Sequence, residues 1–412
     1  MRIWIVNHYA DPPDGHATRT FDLARRLVEA GHPVTIFVSN FSHYRFARMR
    51  KPPPGRLWWS EEISGVRFIW VSTPPYREND WRRLINVMSF SGLVLLAGAR
   101  QRLRPDAVIG VSVHLLAGLS AYLLARRYRA RFFFEETDLW PQALIDSGQI
   151  RANGLSARGM RWLQRFLYRR AERIIEFMPY TGDYVESLGV SRDKIVWIPH
   201  GVELDRYRDL KPYTGEIHGH FRVMFLGGML RYNAIDTILD TAAVLKERGR
   251  TDIRFLMVGA GRDREAAIRE AAERRLDNVE FPDPVPKQEI ASKLSEADAF
   301  IYGLHDLPLY RYGVSLNKLT DYLAGSRPII FCGSSAYDPV RQVGAGFSVP
   351  PDNPIAAADA VERLVGLTPQ ERVQMGRNGR HFLEENHNIP RLAERLLSAL
   401  EGPTPATELA RS

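Results

Sequence analysis

Residues 312–325 read YGVSLNKLTDYLAG, and their types and spacing suit the binding of a phosphorylated nucleoside. Ser315 stands where an N-cap serine would open a helix. The first-turn amides of such a helix, around Ser315, Leu316 and Asn317, attract a diphosphate, and Lys318 adds a cation. Asp321, one turn on, can accept hydrogen bonds from ribose hydroxyls. The same spacing also reads as a capped surface helix with Leu319, Tyr322 and Leu323 on its core face. Two glycine pairs offer further phosphate sites. Gly227 and Gly228 follow FRVMFL, and Gly259 and Gly261 follow IRFLMV. Such turns lie at the carboxyl ends of parallel strands, where ligands bind, although either pair also fits an ordinary turn.

Other chemistries are disfavoured. Arg264 occupies the last position of a would-be Gly-x-Gly-x-x-Gly, which argues against a nicotinamide-dependent dehydrogenase. No Gly-Lys-Ser/Thr is present, so a P-loop kinase is not indicated. The single Cys excludes an internal disulfide framework, and no Cys/His cluster has zinc spacing.

In the first half, Glu135, Glu136 and Asp138 in EETDLW supply carboxylates that can orient a donor or acceptor. The glutamates read equally as a strand-end charge pair. Gly15, His16 and Arg19 follow the first strand and suit either an acceptor phosphate or a structural role.

These groups need elements to hold them. RIWIVN, VTIFVS, VRFIWV, AVIGVS and RFFFEE read as strands, with helical segments between most of them. FRVMFLGG, IRFLMVGAG, AFIYGL and RPIIFC continue the alternation. That pattern predicts α/β units with parallel sheets covered by helices. The expected organisation is a first domain over 1–197, a linker over 198–220 and a second domain over 221–385. A terminal helix over 388–400 is expected to pack back on the first domain, and a disordered tail to follow over 401–412.

The net charge of +8 suits phosphorylated substrates or anionic lipid, and no nucleic-acid motif is present. The first apolar run breaks at Asn7, so it reads as a strand and not a secretory signal, and a cytoplasmic location is expected. The longest apolar run, 85–99, is shorter than the roughly 20 residues that span a bilayer. Arginines at 82, 83, 100, 102 and 104 flank it. It reads as a buried helix or as one that dips into an anionic membrane surface. Residues 44–59 and 158–173 concentrate further positive charge.

With these pieces in order, GVSLNKLTDYLAGSRPII resembles the donor-binding segment of retaining GT-B glycosyltransferases of carbohydrate family four. The similarity is greatest to the bacterial group that builds O-antigen, capsule and exopolysaccharide. PPDGHATRTFDLARRLVEAGHPVTIF, EETDLWPQAL, the run ending IPHGVE, FLGGMLRYNAIDTILDTAAVL, FLMVGAGRDRE and GAGFSVPPDNP resemble the family's other landmarks, over about residues 1–400.

The resemblance implies two Rossmann-like domains facing a central cleft. It implies a UDP-linked sugar donor, a glycan or lipid-linked glycan acceptor, and transfer with retention by front-face attack. No cofactor and no metal are implied, and the location would be the cytoplasm or the inner face of the membrane. The motif match picks out Asp138 as the catalytic carboxylate, with Glu136 the second candidate. The chain departs from the pattern in places. Gly313 stands where the first of two family glutamates would be. Gly228 and Asn233 stand near the positions of an arginine and a lysine that neutralise the donor diphosphate, and Arg231 or Lys318 could substitute. His200 replaces an asparagine. A nucleotide-sugar epimerase on the same fold, or a non-catalytic GT-B subunit, would share many of these features.

Overall fold

IWIV and AVIGV are unbroken apolar runs and VTIFVS is broken only by Thr35 and Ser39, as strands covered on both faces require, and every residue in them is buried. Between them, RTFDLARRLVE turns Phe21, Leu23, Ala24 and Leu27 inward at helical spacing. The computed structural model describes residues 1–15, 18–43, 45–77 and 80–402, except for the Arg231 side chain. It divides into two units, Met1–Pro199 with the stretch from Ile389, and His200–Asn388.

The first unit runs β1 (Ile3–Val6), α1 (Arg19–Glu29), β2 (Val34–Ser39), a small hairpin of β3 (Phe41–Ser42) and β4 (Ala47–Arg48), β5 (Trp58–Ile63) and β6 (Val66–Val71). It continues through α2 (Trp81–Ala99), β7 (Ala107–Val111), α3 (Leu115–Tyr128), β8 (Arg131–Glu136), α4 (Gln142–Asp146), α5 (Leu155–Arg170), β9 (Ile174–Glu176), α6 (Gly182–Ser187) and β10 (Ile195–Trp197). Among the described residues its main sheet has the order β10-β9-β8-β7-β1-β2-β6-β5, parallel except for β5.

The second unit runs β11 (Phe221–Leu226), α7 (Ile235–Glu247), β12 (Ile253–Val258), α8 (Arg264–Glu273), β13 (Val279–Glu280), α9 (Ile290–Leu294) and β14 (Ala299–Gly303). Then come α10 (Asn317–Gly325), β15 (Ile329–Cys332), α11 (Pro339–Gln342), β16 (Gly346–Val349), α12 (Pro354–Gly366) and α13 (Pro369–Asn386). Its sheet is parallel with the order β13-β12-β11-β14-β15-β16. Both sheets therefore present the carboxyl ends of parallel strands, each followed by a loop.

A last helix, α14 (Ile389–Glu401), belongs to the first unit. Its Ile389, Leu392, Leu396 and Leu400 join the core of Ile3, Ile5 and Phe21. Burying each such side chain contributes roughly 1.5–3 kcal/mol. The helix runs into the expected tail as far as Glu401, and residues 403–412 lie outside the described residues. The linker reading does not hold for the whole of 198–220. Val202 and Tyr207 are core residues of the second unit, because their side chains pack against Leu319 and Leu323 instead of solvent. The apolar run over 85–99 is neither wholly buried nor wholly exposed: Val87, Phe90 and Val94 face the core, while Ile85, Met88 and Leu96 do not.

Candidate functional site

The second unit gathers its glycine turns at one sheet edge. Gly227 N–H donates to Val258 O at 3.0 Å, and Met229 N–H to Ala260 O at 2.9 Å. The loops after β11 and β12 thus lie backbone against backbone. A Cβ on Gly259 would stand 1.9 Å from Gly227 O, and one on Gly261 would stand 2.1 Å from Met229 O. Glycine is required at 259 and 261 by this contact between loops, whatever else the loops bind. Gly228 is held differently, its carbonyl accepting from Asn233 Nδ2 at 2.6 Å.

Helix α10 is pinned to the same edge. The Tyr322 hydroxyl accepts from Leu226 N–H at 2.8 Å and donates to Leu226 O at 3.1 Å. One turn earlier, Lys318 therefore lies beside Gly227. Its ammonium donates to Asn233 Oδ1 and sits 5.1 Å from the centroid of the Phe225 ring. Desolvation lowers the Lys318 ammonium to about 7. Gly227, Gly228, Asn233 and Lys318 are thus one assembly. Arg231 opens a single 3-10 turn over Arg231–Asn233, and its side chain lies outside the described residues.

The start of α10 differs from the N-cap reading. Ser315 does not cap the helix, because its Oγ accepts from His200 N–H at 2.9 Å. Leu316 takes the cap position and makes no side-chain cap. The first-turn amides at Asn317 and Lys318 thus have no side-chain acceptor, and an anion would meet them. Asp321 has a partner in Tyr207, whose hydroxyl donates to Oδ1. Desolvation raises the Asp321 carboxyl to about 6, with the Tyr207 hydrogen bond opposing the rise. Leu319, Tyr322 and Leu323 are buried, so the core-face reading of the helix holds as well. Gly313 adopts φ 96°, a conformation that a glutamate at this position would strain.

In the first unit several expectations change. Glu136 is fully buried at the end of β8, paired in register with the equally buried Glu176 of β9. Gln164 Nε2 donates to Glu136 Oε1 at 2.9 Å. Desolvation raises both carboxyls well above the usual range, and the Glu176 charge raises Glu136 further. Glu136 thus has no exposed surface to offer the donor or acceptor it was expected to orient. Arg19 is also committed internally. It pairs with Glu135, donates to Ile198 O at 2.7 Å and to Pro199 O at 3.2 Å, and lies over the Phe177 ring at 4.1 Å. These contacts tie α1 to the ends of β8 and β10 and give Arg19 the structural role that the sequence also allowed. Gly15 is buried in a turn, where a Cβ would stand 2.2 Å from Asp11 Cβ. His16 lies outside the described residues. Asp138 is the exposed carboxylate of this segment.

A histidine group at the same sheet edge was not anticipated. His8 follows β1, His43 follows β3, and His114 caps α3. His114 Nδ1 accepts from Ala117 N–H at 3.1 Å, so in neutral His114 the Nε2–H donates to His8 Nδ1 at 2.8 Å. His8 stacks on Phe90 at 4.1 Å, and His43 stacks on Tyr9 at 4.9 Å. Desolvation, aided by Arg83, lowers His43 to about 4 and His114 to about 3. Neutral imidazoles beside aromatic rings can hydrogen-bond and stack on a sugar. Their positions just past strand ends were the available signal.

The family matches divide the chain at the same place. Residues 14–201 match the model of the glycosyl transferase 4-like domain, and residues 220–367 match that of glycosyl transferases group 1. A probable glycosyltransferase, WbjE of Pseudomonas aeruginosa, is 22% identical over 264 residues, 61% of this chain and 63% of that relative. The match thus spans less than two thirds of the relative's length. The sucrose-phosphate synthase structure from Thermosynechococcus elongatus superposes with a TM-score of 0.73 at 17% identity, covering 96% of this chain and 97% of that one. Anabaena HepE in complex with UDP-glucose superposes with a TM-score of 0.66 at 12% identity, covering 96% and 98%. At these identities the likeness is one of fold, two Rossmann-like units of the GT-B kind.

Proposed function

We propose that this chain, which belongs to the glycosyltransferases through its 4-like first domain and its group 1 second domain, moves a sugar from a UDP-linked donor to a glycan or lipid-linked glycan in bacterial surface polysaccharide synthesis. The observation that carries the donor half is the assembly of Lys318, Asn233 and the Gly227–Gly228 turn at the uncapped start of α10. The leaving diphosphate meets helix amides and the Lys318 ammonium, which stabilise the charge that develops as the glycosidic bond breaks. Asp321 Oδ2 accepts from the ribose. The UDP-glucose complex of HepE supports a nucleotide sugar as the class of donor.

In this reading retention follows from front-face attack, with a donor phosphate oxygen taking the acceptor proton. Asp138 is the exposed carboxylate that orients the acceptor, and His43 and His114 line the acceptor side. The diphosphate charge is met without a metal or cofactor, so chelation by EDTA leaves the rate unchanged. WbjE, a probable glycosyltransferase, supports glycosyl transfer itself, at low identity. The test is a thermal-shift panel of UDP-, GDP- and dTDP-sugars, since stabilisation follows occupancy. The preferred donor gives the largest shift and, alone, yields no epimer. Absence of any shift, or epimer formed from donor alone, contradicts the proposal.

A further inference from the structure

The loops past β1, β3 and β6 bring an aromatic group together at one end of the first unit's sheet. Tyr9 stacks on His43 at 4.9 Å, Tyr76 lies 4.9 Å from Phe41, and His43 Nδ1 and the Tyr76 hydroxyl are 2.6 Å apart. Phe46, in the turn of the β3–β4 hairpin, sits edge-to-face with both His43 at 5.7 Å and Tyr76 at 6.0 Å. It nevertheless remains 46% exposed. Its backbone holds φ 49°, a left-handed conformation that glycine adopts freely and phenylalanine does not. Core packing gives no reason to set a large ring, half in water, on a strained turn. Strain of this kind gathers at ligand clamps.

Two polar features accompany the rings. Tyr9 is 6% exposed, and its buried hydroxyl has no hydrogen-bond partner among the described residues. A buried hydroxyl left unmatched is unfavourable, so this one suits a ligand oxygen. Arg83, in the first turn of α2, adds to the desolvation that lowers His43 and His114. A guanidinium thus stands beside imidazoles that stay neutral. Two arginines of the hairpin region are engaged elsewhere: Arg45 donates to Asp14 O at 2.6 Å, and Arg50 pairs with Glu61 at 3.2 Å. A pyranose fits this group, because its C–H face carries slight positive charge and meets the negative face of an aromatic ring. A carboxylate on that sugar matches the planar guanidinium in both charge and shape. A phosphate monoester, with about two negative charges at neutral pH, exceeds one guanidinium beside neutral rings.

We propose that Phe46, His43, Tyr76 and Tyr9 form a stacking subsite for a hexuronate ring of the acceptor, with its carboxylate on Arg83. This subsite rests on the reading of the first unit as the acceptor side and adds the class of sugar which that side takes. Ligand-observed NMR titration of the full chain with methyl glucuronoside, methyl glucoside and glucose 6-phosphate tests it. The glucuronoside is expected to bind about tenfold or more tightly than the glucoside, the margin of one charge-assisted contact, and more tightly than the sugar phosphate. Arg83→Gln removes that preference while leaving glucoside affinity where it was. Phe46→Gly weakens both methyl glycosides about fivefold through the lost ring face. Because glycine relieves the backbone at position 46, this variant keeps or raises the thermal midpoint, which a ring needed for packing would not allow. Equal binding of glucuronoside and glucoside, tighter binding of glucose 6-phosphate, or no binding of any of the three overturns the proposal. So does full binding or a lower midpoint in Phe46→Gly, or a preference that survives in folded Arg83→Gln. UDP titration of the same preparation reads the donor site alone: UDP binding without glucuronoside binding sinks this subsite and spares the donor reading.

Discussion

Lys318 of α10 donates to Asn233 Oδ1, and Asn233 in turn holds the Gly228 carbonyl. This couples the cation on one helix to the glycine turn after β11. The resemblance places a lysine near position 233, and here an asparagine at that position holds a lysine supplied by another element.

That coupling sets a pH dependence. The Lys318 ammonium is lowered to about 7 by desolvation, so it loses its proton as pH rises through neutrality. Only the charged form attracts a diphosphate. UDP affinity, measured by titration calorimetry from pH 6 to 9, is therefore expected to fall as pH rises through about 7. Affinity that is flat across this range, or that rises, contradicts the role.

Tyr207→Phe removes the donor to Asp321 Oδ1. Leaving that carboxylate oxygen unmatched costs about 1–3 kcal/mol. The Tyr207 hydrogen bond opposes the rise of the Asp321 carboxyl above the ordinary range, so the variant moves it further up from about 6. Chemical denaturation and the pH profile of UDP binding should both register the change.

Glu136 and Glu176 predict a stability effect of opposite sign. Their folded pKa values are raised above the ordinary carboxylate value, by desolvation first. The folded state therefore holds protons that the unfolded state releases, and stability falls as pH rises from the ordinary carboxylate range up to the raised values. Glu176→Gln removes one of these groups and gives Glu136 an amide partner. At pH 8 it should raise the thermal midpoint, by roughly 2–4 °C for each kcal/mol recovered. It should also flatten the decline with pH. An unchanged or lower midpoint at pH 8 counts against the shared-burial account.

Gly259→Ala would drive a Cβ to within 1.9 Å of Gly227 O and force the two loops apart. Both unfolding temperature and UDP affinity should fall together, because the displaced loop is the one beside Lys318. Loss of neither would show that the loop contact is loose.

The fold was legible because most of its strands are largely apolar runs and helices alternate with them. Burial of Tyr322 on α10 was equally readable from spacing. The site was less so, for reasons of distance along the chain. Ser315 reads as a cap from its neighbours, yet His200 takes its oxygen. Arg19 and Glu136 have the chemistry of site residues, but Glu135 and Glu176 fold against them and bury both. Glycine spacing at 259 and 261 shows that a backbone must approach, without showing that the visitor is another loop of the same chain. The histidines at 8, 43 and 114 are scattered in sequence and meet only where the strands end.

The most direct test of the donor site is titration of UDP into the wild-type chain and Lys318→Ala at pH 6.5, where the ammonium is charged. Loss of one charge-assisted contact to a diphosphate weakens binding by roughly 1.5–3 kcal/mol, so the variant should bind about tenfold or more weakly while remaining folded. Equal affinity in a folded Lys318→Ala chain, or no UDP binding by the wild type, would contradict the account.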